Sequence, residues 1–189
     1  MRIGLMTSGD AGEVAKLLNH AIEKGVAHFA TEPTDAGQVL SEWRAAGELY
    51  PWLVARDDAG EFLGFARGSA WHPRHAYLWT VATAIYLVPA ARSRGIGGRL
   101  YTVLFEMLER QGFKGALGGV SLPNPASERL HERMGMSVMG EIRPGGYKKD
   151  RWVPVRWYQK TLGRFDERTP PSDIRPVTEV WSEMERTPA

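Results

Sequence analysis

Val14, Leu17, Leu18, Ala21 and Ile22 fall three and four residues apart, the spacing that lines one face of a helix. That helix opens near Asp10, a candidate N-cap. Val39, Leu40 and Trp43 repeat the spacing and predict a second helix over 35–46. Between the two, Phe29-Ala30-Thr31-Glu32-Pro33 reads as a connector, because Pro33 pushes Glu32 out of helical geometry. Apolar runs at 2–6, 52–56 and 62–69 predict strands, the last two joined by Asp57-Asp58-Ala59-Gly60, which is hairpin chemistry. Trp71-His72-Pro73-Arg74-His75 reads as a loop and 77–87 as a longer strand. Short links between these strands predict an antiparallel meander. Ile96, Leu100, Val103, Leu104, Met107 and Leu108 then mark a strongly amphipathic helix that Gly112 ends. A small-residue strand at 115–122 follows, then a helix with Asn124 as N-cap, Pro125 in first position and Gly135 at its close. Residues 137–143 and 151–162 read as a final strand pair around Pro144-Gly145-Gly146, with Pro154 unable to donate to a neighbour. The proline- and charge-rich 163–189 predicts a partly disordered tail, within which Val177–Trp181 is suited to dock.

Composition narrows the class. At 189 residues the chain suits one domain, expected over 1–162 with 163–189 as its tail, docked on that domain or on a partner subunit. The net charge of +2 comes from interspersed bases and acids, so no basic stripe for nucleic acid is expected. Without cysteine there is no disulfide framework, thiol nucleophile or cysteine metal site, and the scattered histidines lack the spacing of a zinc helix, so no metal is expected. Neither a membrane span nor a signal-peptide pattern is visible, which points to a cytoplasmic protein that does not enter the membrane.

The richest stretch is Ile85 to Leu100, where an apolar run ends, a basic and glycine-rich loop follows, and a helix begins at once. Strand, loop and helix in that order form an anion cradle, since the first helical turn has unpaired N–H groups and the positive end of the dipole. Arg92, Arg94 and Arg99 add charge around it. A P-loop would need Lys-Ser or Lys-Thr where Gly98-Arg99 stands, and the dinucleotide fingerprint would need a third glycine in an early βαβ unit. Arg92-Ser93-Arg94-Gly95-Ile96-Gly97 instead fits the R/Q-x-x-G-x-G/A loop, and with the order of elements it resembles the GNAT acetyltransferases.

Within that superfamily the chain resembles the phosphinothricin N-acetyltransferase family. The matching residues include Asn19-His20, Phe29-Ala30-Thr31-Glu32-Pro33, Tyr50-Pro51-Trp52, Arg74, Trp79-Thr80, Gln111-Gly112-Phe113-Lys114, Leu122-Pro123-Asn124, His131-Glu132 and Gly146-Tyr147-Lys148. The resemblance implies an α+β GNAT fold, with a central, mostly antiparallel sheet of about seven strands flanked by about four helices. It implies acetyl-CoA as cosubstrate, with the pyrophosphate on the amides of Arg92, Ser93, Arg94, Gly95, Ile96, Gly97 and Gly98. The pantetheine arm would pair with the backbone near Tyr86, Leu87 and Val88, while Asn124 and Ser127 would touch the coenzyme at the next helix. A small-molecule amine acceptor and a homodimer are also implied.

Amine acetylation needs a neutral amine, a polarised thioester carbonyl and a proton for the departing thiolate. The family's glutamate two residues after Trp-Thr is here Ala82, which cannot accept a proton. Glu32 is the candidate replacement, ordered water the other, and His131 stands where the family's acid–base residue lies. Arg74 suits an acceptor carboxylate, and Phe29, Thr31 and Trp79 are candidate cleft walls. Leu78, and Val153-Pro154 in place of His-Asp, depart from the family pattern and leave the acceptor open. The leading expectation is an N-acetyltransferase for an amino-acid-like acceptor of the phosphinothricin or methionine sulfoximine type. The alternative, prompted by Ala82, is an acyl-CoA-binding module with weak or lost catalysis.

Overall fold

The computed structural model describes residues 1–186 and contains one seven-stranded sheet in the order β1-β2-β3-β4-β5-β7-β6. Its strands are β1 (Arg2–Leu5), β2 (Trp52–Arg56), β3 (Phe62–Ala70), β4 (Thr80–Leu87), β5 (Gly115–Ser121), β6 (Ser137–Lys148) and β7 (Arg151–Thr161). All neighbours are antiparallel except β4 and β5, which the helix between them makes parallel.

Alternation along the strands splits the core in two. Trp52, Val54 and Phe65 face one way and pack on Val14, Leu17 and Leu18 of α1 (Ala11–Lys24) and Val39 of α2 (Ala36–Ala46). Leu53, Ala55, Ala66 and Val81 face the other way, onto Leu100, Leu104 and Leu108 of α3 (Ile96–Gln111). Of the expected α3 face all but the half-buried Val103 is buried, which is why this helix is the sheet's main support.

Three local expectations are corrected. Asp10 does not cap α1 with its side chain; the carboxylate instead accepts from Thr7 and ion-pairs with Arg56. The strand expected from Tyr77 starts at Thr80, because His75–Tyr77 form a 3-10 turn. Pro144-Gly145-Gly146 does not turn the chain: β6 runs through it as an irregularity between the Ile142↔Val155 and Gly146↔Val153 pairs, and Lys149 and Asp150 make the turn at φ 55° and 56°. Pro154 lies between those two pairs, where the ladder is interrupted and no N–H is missed.

The tail packs on the domain. A helix, α5 (Val177–Arg186), buries Val177 and Val180 against the α3 side of the core, so the described helices number five with α4 (Pro125–Arg133). Buried Gln111 holds the approach to it, donating to the carbonyls of Leu49 and Arg175 at 3.1 and 2.9 Å. Glu48 accepts from the Thr178 N–H and hydroxyl at 3.0 and 2.7 Å. The last residues of the expected tail, 187–189, lie outside the described ones.

Candidate active site

The sheet is split at its centre. β4 and β5 pair only from Thr80↔Gly115 to Thr83↔Gly118, although the strands run on to Leu87 and Ser121. Beyond that point β4 stays with β3, as far as Gly64↔Leu87, while β5 stays with β7, as far as Ser121↔Val155. A wedge therefore opens between the two strands, with strand backbone on each side. Tyr86 is paired opposite Phe65, and Val88 spends its N–H on Leu63 and its carbonyl on Ala91. Alternation leaves Leu87, between them, facing the wedge. Of Tyr86, Leu87 and Val88, Leu87 is thus the one whose backbone is turned to the wedge, and its carbonyl accepts from Arg92 Nε at 3.3 Å.

At the mouth of the wedge the chain makes a 3-10 turn, Pro89–Ala91, and enters the glycine loop. Ser93 and Gly95 take left-handed φ values of 59° and 79°, which turns the backbone sharply into α3. Among the described residues no acceptor is bonded to the N–H of Ser93, Arg94, Gly95, Ile96, Gly97 or Gly98, and the first helical bond of the turn is Arg99 N–H to Gly95. Unpaired amides gathered at a helix N-terminus are an anion site. Gly97 belongs there for packing, since a Cβ would sit 3.1 Å from Leu130.

His131 lies on α4, at the end of the wedge where pairing stops, and is 3% exposed. Its ring rests on Gly118, where any Cβ would come within 2.7 Å of Nε2, so only glycine admits it. Nδ1 lies 2.8 Å from the Ser127 carbonyl, which only accepts, so Nδ1 carries the proton. Nε2 then presents its lone pair to the Tyr101 hydroxyl at 3.2 Å. Burial pulls the His131 pKa below the ordinary imidazole value against the Ser127 bond, and burial raises the Tyr101 hydroxyl well above the usual phenol range. The imidazole is neutral at pH 7. Asn124 caps α4 by accepting from the Ser127 N–H at 3.2 Å.

On the opposite face of the sheet Ala82 and Ala84 leave the floor of β4 partly uncovered. A cleft of about 470 Å³ lies on this face between the α1–α2 connector, α2 and β3, lined by His28, Glu32, Gln38, Glu42 and Arg67 among others. Lys148, from β6, pins the connector by donating to the carbonyls of His28 and Ala30 at 2.7 and 2.8 Å. Phe29 packs over Gly146 and is 41% exposed. Burial, with the charges of Arg67 and Lys148, lowers the His28 pKa.

The expected residues thus divide. Glu32 lines the cleft, whereas Thr31 and Phe29 stand on the exposed part of its connector. Arg74 is exposed on the β3–β4 loop and does not line the cleft. Trp79 is corrected outright: its indole points to the other side and donates to the Ser172 carbonyl at 2.7 Å. Odd positions at this end of β4 face α3, away from the α1 and α2 side, and Trp79 does not line the cleft. Arg67, Tyr101, Gly118 and Lys148 were given no role in the site from sequence. A charge inside an apolar strand and a glycine pair inside another were the available signals.

Residues 14–136 match the acetyltransferase (GNAT) family. The chain is 36% identical to the phosphinothricin N-acetyltransferase of Streptomyces viridochromogenes, over 92% of this chain and 93% of that protein. It is 30% identical to an L-methionine sulfoximine/L-methionine sulfone acetyltransferase of Pseudomonas paraeruginosa, over 81% and 90%. A crystal structure of a phosphinothricin acetyltransferase from Sinorhizobium meliloti in complex with acetyl-CoA superposes with a TM-score of 0.86 at 28% identity, over 90% and 92%.

Proposed function

The chain belongs to the GNAT acetyltransferase family, and from that premise we propose that it moves the acetyl group of acetyl-CoA onto the α-amino group of a small amino-acid-like acceptor. The observation that carries this is the wedge between β4 and β5 with the unpaired amides of Ser93 to Gly98 at its mouth. A pyrophosphate on those amides directs the pantetheine arm along Leu87 toward the paired end of the wedge. Asn124 and Ser127, beside it on α4, are assigned to the coenzyme. Relatives named for phosphinothricin and for methionine sulfoximine support this acceptor class.

The reaction forms an N–C bond and breaks the C–S bond; the ammonium loses protons and the thiolate gains one. Glu32, in the cleft and in contact with solvent, is assigned the first task through water, since Ala82 has no group for it. His131 is assigned the second: its neutral Nε2 takes, through the Tyr101 hydroxyl, the proton that the attacking nitrogen sheds and returns it to the thiolate. Lost catalysis, the alternative prompted by Ala82, has no support among the relatives, which are named for the reaction.

A homodimer is part of the same reading. β6 is an edge strand, and Val138, Met139, Ile142, Tyr147 and the neighbouring Trp152 expose apolar surface along it. Among the described residues no helix is long and apolar enough to cross a membrane, and the reading puts the protein in the cytoplasm beside its acetyl donor. The test is thiol release from acetyl-CoA with a panel of amino acids, phosphinothricin and methionine sulfoximine. Turnover on at least one is expected; tight acetyl-CoA binding with no turnover on any would overturn the reading.

A further inference from the structure

One cation of the cleft lining stands across the β3–β4 ladder from the bare stretch of β4. In the β3–β4 register Arg67 stands opposite Ala84, and Ser69 stands opposite Ala82. Directly paired residues share a face, so Arg67, Ser69, Ala82 and Ala84 all lie on the side covered by α1 and α2. Arg67 is about 7 Å along β3 from Ser69, within the span of its own side chain. No side chain rises from Ala82 or Ala84 to fill that span.

The guanidinium is held for use. It lies over the Trp52 ring, 4.5 Å from its centroid, and Nη1 donates to Glu42 at 2.5 Å. Among the described residues Nε and Nη2 have no partner, although the Arg67 side chain is only 21% exposed. A guanidinium fixed by stacking and one carboxylate, with further donors open to a cleft, is suited to a second carboxylate in planar, two-point contact. The buried cation near the cleft, Lys148, is already spent on two backbone carbonyls. Arg74, which the sequence favoured for this task, stands outside the lining.

We propose that Arg67 anchors the acceptor's α-carboxylate and so selects α-amino acids over other amines. The anchor rests on the acceptor class proposed above. With the carboxylate on Arg67, the amino group is carried along the bare β4 floor toward Ala82, beside the paired end of the wedge. Loss of the glutamate at position 82 and the presence of arginine at 67 then belong together: the alanine makes room for what the arginine holds.

Steady-state kinetics of the wild type, Arg67→Gln and Arg67→Lys on an amino acid and its carboxamide test this. For Arg67→Gln the amino acid KM should rise roughly 10- to 100-fold, with the KM for acetyl-CoA unchanged and the preference over the carboxamide lost. Arg67→Lys should fall between, keeping charge without the planar fork. A melting temperature and acetyl-CoA affinity near wild type identify variants that fold. If the wild type prefers the amino acid and Arg67→Gln and Arg67→Lys keep that preference, the anchor is wrong and the acetyltransferase reading stands. If both variants fail to fold, equal wild-type use of acid and carboxamide refutes the anchor, and strong preference for the acid supports it. A wild type that acetylates neither compound nor any other amino acid overturns the acceptor class, and the anchor with it.

Discussion

His131 shows how one side chain is set by its neighbours. A carbonyl at Nδ1, a phenol at Nε2 and a glycine beneath the ring fix its tautomer and its plane. Replacing it by glutamine should lower kcat about 100-fold while leaving acetyl-CoA affinity within about twofold, measured by single-turnover kinetics and calorimetry. The same burial has a thermodynamic consequence. The folded pKa lies below the unfolded one, so on acidification the unfolded chain takes the proton first and the fold loses stability. His131 therefore leaves stability untouched above about pH 6.5 and drains it as pH falls below that value. His28, lowered by burial and by Arg67 and Lys148, acts in the same sense. Urea midpoints against pH should show the fall, and His131→Gln should flatten part of it. A curve that is unchanged in the variant would show that His131 is not the group responsible.

At the level of elements, the cleft proposed for the acceptor depends on a contact between segments far apart in sequence. Lys148 at the end of β6 holds the α1–α2 connector by two carbonyls. Lys148→Met should free that connector, raising the acceptor KM several-fold and speeding amide exchange over 25–35, with acetyl-CoA binding unaffected. The glycine loop is independent of it. Gly95 sits at φ 79° between free amides, so Gly95→Val should weaken acetyl-CoA binding roughly 10-fold, at a backbone cost of about 1–2 kcal/mol, and leave the acceptor side alone.

For the whole molecule, the tail closes the fold. Removing residues 163–189 would leave the Gln111 side-chain N–H without the Arg175 carbonyl and uncover the core under Val177 and Val180. A loss of roughly 3 kcal/mol or more in unfolding free energy is expected, read by denaturant titration. At the opposite edge Trp152 is 62% exposed beside β6. Trp152→Glu should shift a dimer to monomer in sedimentation without lowering the monomer's melting temperature; a wild type that sediments as a monomer would refute the dimer.

Periodicity alone determined most of the fold's parts. Val14, Leu17 and Leu18 face inward on α1, Leu100, Leu104 and Leu108 on α3, and the order of strands and helices follows from local spacing and turn chemistry. The anion loop was equally legible, because its glycines, arginines and helix start are consecutive in the chain. What tertiary structure decided is everything that depends on pairing across distance. Composition reads 163–189 as a partly disordered tail with a segment suited to dock, but not where it docks: Gln111 and Glu48 supply its partners from elsewhere. Trp79 and Arg67 both sit in or beside strands, and only register says which face each takes. A strand residue's face reverses with a shift of one position, so membership of the cleft was fixed by the sheet and not by the sequence around either residue.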